Sequence, residues 1–158
     1  MANTQSMCTS FMGELLTATH NFGTAPVRAV ATPDTFRAAL YLASATINAS
    51  TTVYSSTGEV TGAGYSAGGI VVTNATPPTA TNASATAGVA FFTPSASLVY
   101  TSVTLTTAFD AALIYNSTQS DKAVSVHTFG SQTITAGTFT LTMPANTTST
   151  ALLRLATT

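Results

Sequence analysis

The sequence predicts an all-β, antiparallel sandwich, and three observations carry that prediction. First, 34 Thr and 16 Ser make up about a third of the 158 residues, beside 27 Ala. β-Branched Thr is stiff at χ1 and fits a pleated, half-buried surface. Second, Lys, Arg and Glu are too scarce to build stable helices. Third, from residue 36 onward short apolar or alternating runs recur between turn signals, giving eight or nine strands at spacings of roughly 8 to 14 residues. A jelly roll is preferred over an immunoglobulin-like order.

Residues 1–35 read differently from the rest. Thr9 or Ser10 caps a short, marginal helix carrying Phe11, Met12, Leu15 and Leu16, with Gly23 beyond its end. Pro26 and Pro33 mark an extended connector. The expectation is an N-terminal helix or arm at 1–35, docked outside a β-domain at 36–158.

Residues 36–43 form the first strand of that domain. The glycine-rich stretch 58–69 leads into a strand at 70–73, and 77–87 is a polar loop. Further strands follow at 89–93, 98–105 and 109–115, with Ser102 breaking the alternation where a bulge is expected. A turn cluster at 116–121 precedes 122–129. Gly130 and the pair Ala136-Gly137 then separate strands at 132–135 and 139–143, and Pro144 ends the last of these. Residues 151–155 supply the final strand.

Charge is the unusual feature. Nine residues carry a formal charge, four basic and five acidic, for a net −1. A folded monomer of 16.0 kDa exposes about 7,400 Å², or roughly one charge per 800 Å². Soluble monomers carry several times more. Neutral hydroxyls or neighbouring subunits must therefore cover the surface. Four dispersed cations are too few to neutralise the phosphates of a nucleic-acid site. No run approaches the roughly 18 apolar residues of a membrane helix. The N-terminus lacks the charged and apolar regions of a signal peptide, so synthesis in a cytoplasm without secretion is expected. Asn48, Asn74, Asn82, Asn116 and Asn146 match the glycosylation acceptor pattern, which a chain this rich in Ser and Thr produces by chance.

Catalytic material is sparse. The single Cys8 excludes an internal disulfide, and one Cys with two His makes no metal cluster. A nucleophile needs an oriented base, so the pairs to weigh are Cys8 with His20, and His127 with Asp110. A neutral interface histidine is the favoured reading of His127. Glu14, Asp34, Glu59, Asp110 and Asp121 form no recognisable carboxylate pair. The 58–69 stretch lacks the Lys-Ser/Thr ending of a phosphate loop, so positive-φ turns are expected there. Phe91, Phe92, Tyr100 and Tyr115 could offer a sugar-stacking face, but core packing is favoured. No catalytic, cofactor-binding or metal-binding residues are expected.

Several stretches carry a family resemblance: Ala39-Leu-Tyr-Leu-Ala43, Thr57-Gly-Glu-Val-Thr-Gly-Ala-Gly-Tyr-Ser-Ala-Gly-Gly69, Phe109-Asp-Ala-Ala-Leu-Ile-Tyr-Asn-Ser-Thr118, Lys122-Ala-Val-Ser-Val-His-Thr-Phe-Gly130 and Thr135-Ala-Gly-Thr-Phe-Thr-Leu-Thr-Met-Pro144. In these the chain resembles small virion structural proteins of tailed bacteriophages, of the capsid cement (decoration) or tail-associated type. The resemblance implies structure without catalysis, and no site residues carry over. The sparse charge adds the expectation of a homodimer or homotrimer, in contact with a major capsid protein or other virion proteins, with the capsid surface as the preferred location. A tail or head–tail component and a glycan-binding adhesion module are the rival expectations.

Overall fold

A computed structural model describes residues 3–8, 10–11, 15, 19–20, 22, 33–74, 78–81 and 88–156. The chain is all-β and antiparallel, with about half of the described residues in strands, and it fits the sandwich class. It divides into two compact units. One comprises Met1–His20, Asp34–Val72 and Leu98–Thr140; the other comprises Asn21–Pro33, Thr73–Ser97 and Leu141–Thr158. This division differs from the expected boundary at residue 35.

The first unit holds a five-stranded sheet. Its strands are β1 (Ser6–Met7), β2 (Phe36–Leu42), β3 (Ile70–Val71), β6 (Leu98–Asn116) and β7 (Lys122–Leu141), in the order β1-β7-β6-β2-β3. β2 reads Phe-Arg-Ala-Ala-Leu-Tyr-Leu, lies between β3 and β6, and is buried at Phe36 and from Ala38 to Tyr41, so side chains on both of its faces are covered. It pairs with β6 from Phe36↔Asn116 to Leu42↔Phe109. The register shifts between Tyr41 (opposite Ala111) and Leu42 (opposite Phe109), which leaves Asp110 as the extra residue of a bulge. Leu40, Leu98, Val103, Leu105, Phe109, Leu113, Val124 and Val126 are each at most 1% exposed and form the core.

β6 and β7 run 19 and 20 residues, where the sequence suggests five shorter strands. The separation expected at Ala136-Gly137 is a local distortion inside a continuous strand, as is the irregularity expected at Ser102. Ser102 has φ 54° and Ala136 φ 47°, so each kinks its strand without ending it. Gly130 is also internal to β7, and a Cβ added there would meet nothing within 4 Å.

The N-terminal residues are not an external arm where they are described. Ser6 and Met7 pair with Val126 and Ser125 of β7, and the Cys8 amide donates to the Val124 carbonyl. Cys8 is fully buried and Phe11 is 2% exposed. Phe11 packs edge-on against His20, with ring centroids 4.9 Å apart. Apolar side chains in this segment gain more by joining the core than by lying on a neighbour. Ser10, Phe11 and Leu15 have helical backbone, and the rest of the expected helix lies outside the described residues. So does the expected connector up to Thr32.

The second unit holds a three-stranded antiparallel sheet of β4 (Thr79–Ala80), β5 (Val89–Phe92) and β8 (Leu153–Ala156), with β5 central. Phe92 is 4% exposed and packs on Phe22 at 5.0 Å between ring centroids. The Thr93 hydroxyl, on a residue 3% exposed, accepts from the Leu152 amide at 2.9 Å.

The burial of Phe11 makes a prediction. Phe11→Ala should destabilise the protein by roughly 3–5 kcal/mol, read as a lowered midpoint in chemical denaturation. A loss below about 1 kcal/mol would mean that the segment is not core.

Candidate functional site

The glycine-rich stretch 58–69 is a loop held against β2 and β6, as its glycines suggest. A Cβ at Gly69 (φ 67°) would overlap the Ala38 carbonyl, and one at Gly64 (φ 77°) would overlap that of Ser102. Only glycine permits this approach. The Val60 amide donates to the Leu40 carbonyl and the Leu42 amide to that of Gly58, so the loop covers the edge of β2 beyond β3.

Glu59 anchors the loop. It is 6% exposed. Its Oε1 accepts from the Tyr65 hydroxyl at 2.7 Å and the Gly68 amide at 2.8 Å, and its Oε2 accepts from the Tyr54 hydroxyl at 2.6 Å. All five tyrosines of the chain serve this region. Tyr65 also accepts from the Leu40 amide, Tyr115 donates to the Gly68 carbonyl at 2.8 Å, Tyr100 to that of Ala38 at 2.8 Å, and Tyr41 to that of Ser55. Tyr115 stacks on Tyr54 at 4.6 Å, and Tyr100 on Tyr65 at 5.9 Å. Burial pushes the Tyr41 phenol up to about 12. Burial raises Tyr54 and Tyr65 as well, and their bonds to the Glu59 carboxylate add to the rise. Arg37 completes the arrangement, donating through Nε to the Gly68 carbonyl at 3.1 Å and through Nη2 to that of Gly69. The network positions backbone. It is the main functional-looking cluster that sequence reasoning missed, and a glycine loop holding Glu59 and Tyr65, with Tyr54 just before it, was its trace.

The catalytic pairs weighed from sequence are not joined by hydrogen bonds among the described residues. His127 Nε2 and Ser125 Oγ lie 2.8 Å apart, two residues apart on β7, with Ser125 only 2% exposed. Burial holds the His127 imidazole down to about 4, so it is neutral at ordinary pH. Asp110 accepts instead from the Asn3 amide nitrogen Nδ2 at 2.6 Å. His20 Nδ1 lies 3.0 Å from Asn116 Nδ2, while the Cys8 thiol points to the Asn48 carbonyl. Asn116, fully buried, also donates to Asp34 at 2.7 Å, and its carbonyl accepts from the Thr118 and Gln119 amides. These bonds close the β6–β7 turn. Asp121 sits in that turn at φ 57°. Glu14 lies outside the described residues. Among the described residues no group of three His, Cys, Asp or Glu could hold a metal ion.

Phe92, Tyr100 and Tyr115 are 4%, 3% and 2% exposed, so these rings are core. A cavity of about 250 Å³ in the first unit is lined by Arg37, Tyr65, Val99, Tyr100 and Thr101. One of about 260 Å³ in the second is lined by Thr93, Ser97, Met143 and Asn146. Both fall below the roughly 300 Å³ at which small-molecule clefts begin.

An exposed strand edge runs along the far half of β7. Beyond Val126, no described residue pairs with its outer edge. Residues 130–133, Thr135, Ala136, Thr138 and Thr140 are exposed. Phe129 and Phe139 are half-buried, and both pack on Phe109 with ring centroids at 5.9 and 5.1 Å. No charged residue occurs between Lys122 and Arg154. No family model, curated protein or solved structure matches the chain.

Two predictions follow from these geometries. Glu59→Gln places an amide donor against groups that already donate, so it should cost about 1–3 kcal/mol in thermal or chemical unfolding. Wild-type stability would refute the anchoring role. For His127, the folded-state value lies below the ordinary imidazole value of 6.5. The unfolded chain therefore binds the extra proton first, and stability is lost as pH falls from about 6.5 towards 4. His127→Gln should flatten the fall of Tm across that window; an unchanged slope would remove His127 as its source.

Proposed function

We propose that the chain is a non-enzymatic virion structural protein, a capsid cement or decoration subunit of a tailed phage, which stabilises a shell through contacts between subunits. The observation that carries this reading is the far half of β7: an uncharged, sharply bent strand with exposed hydroxyls, whose outer edge no described residue pairs. Natural sheets protect such edges with charge, proline or cover, and leave them open where another chain pairs. The resemblance to phage structural proteins supports the reading from the sequence side. The partners on this reading are further copies of the chain and a major capsid protein. The mechanism is added buried area with backbone and hydroxyl hydrogen bonds at the seams, and it requires no cofactor.

Quantitative mass spectrometry of purified virions tests it. The protein should be present in a fixed ratio to the major shell protein, and particles lacking it should lose their genome at lower temperature. Its absence from particles, or a hydrolase activity that disappears in His127→Ala, would overturn the reading. A copy number matched to tail proteins would favour the tail-component role.

A further inference from the structure

The open edge of β7 carries a near-palindrome. Residues 133–140 read Thr-Ile-Thr-Ala-Gly-Thr-Phe-Thr. Read backwards, the same pattern returns: Thr, apolar, Thr, small, small, Thr, apolar, Thr. The bulge at Ala136 makes this geometrically meaningful. In an uninterrupted strand Ile134 and Phe139 would face opposite ways, being an odd number of residues apart. Here Ile134, Gly137 and Phe139 are half-buried, whereas Thr133, Thr135, Ala136, Thr138 and Thr140 are exposed. The extra residue at φ 47° has shifted the alternation by one. Both apolar side chains therefore share one face, and all four threonines share the other.

We propose that β7 pairs antiparallel with β7 of a second copy, about a two-fold axis at the Ala136-Gly137 bulge. The proposal rests on the assembly reading above and names the partner and the register. A two-fold axis perpendicular to the sheet keeps faces together, so the two bulges meet at the dyad. Thr135 then lies opposite Thr138 of the second copy, Thr133 opposite Thr140, and Ile134 opposite Phe139, with each pairing made twice. Thr–Thr and aromatic–β-branched pairs are among the favourable cross-strand combinations. A self-pairing edge needs no charge complementarity, in keeping with the lack of charge between Lys122 and Arg154. Closed two-fold pairing occupies the edge from Gln132 to Leu141 in both copies, so this contact stops at a dimer instead of growing into a fibre. The two five-stranded sheets become one of ten strands.

The register is tested with two double variants of the full chain at exposed positions, after cooperative melting has verified each fold. Thr135→Lys with Thr138→Lys sets like charges opposite one another at both copies of that pair. Thr135→Glu with Thr138→Lys sets opposite charges there. Sedimentation equilibrium should give dimers for the wild type and the Glu/Lys variant with similar Kd, and a Kd weakened roughly tenfold or more for the Lys/Lys variant at low salt. A wild type that stays monomeric, or two variants that respond alike, overturns the proposal. Presence in virions is measured separately, so loss of the dimer and loss of the virion role are distinguishable.

Discussion

A buried carboxylate organises the first unit. Removing Glu59 from water carries a desolvation cost of several kcal/mol, which a protein meets only with well-placed donors. Two phenols and one amide, none more than nine residues from Glu59 in sequence, supply them. That arrangement turns a glycine loop with little side-chain bulk into a fixed cover over β2 and β6. Ala63 then bridges to Thr104, whose amide donates to the Ala63 carbonyl at 2.8 Å. One side of the sheet is closed by this device. The other side, along β7, carries β1 and a bridge from Val53 to Lys122 at its near end, and no further paired strand among the described residues.

This asymmetry matters because so little charge is left for the outside. Of nine formal charges, Glu59, Asp34 and Asp110 accept internal hydrogen bonds, and Arg37 donates to loop carbonyls. Charge that fixes backbone inside a unit does little to keep copies apart in solution. A surface rich in Thr, Ser and Ala and poor in charge has no strong repulsion. It suits seams in which backbone and hydroxyls provide most of the hydrogen bonds. The bulge at Ala136, ordinarily a device that discourages edge pairing, here restores the alternation that a two-fold pair requires.

Much of the strand content was legible. β2 and β5 fall within a residue of their sequence-read limits, because apolar runs bounded by turn residues suffice to mark them. The division of β7 was misread because Gly130 and Ala136-Gly137 are also turn signals, whereas Ser102 distorts β6 from within, where the break in alternation lies. A strand flanked by partners tolerates a local positive φ that an isolated segment would express as a break. β1 was missed because two residues carry no periodicity.

The sequence by itself determined the all-β class, the scarcity of charge and the positive-φ glycine loop, since these depend on composition and local sterics. It also holds the 133–140 palindrome, although not its meaning. The tertiary structure decided where the N-terminal residues go and that Glu59 is buried among tyrosines. It also decided that Asp110 faces Asn3, and that Ile134 and Phe139 share a face. Each of these depends on partners far apart in sequence, or on a single backbone kink that local residue preferences do not specify.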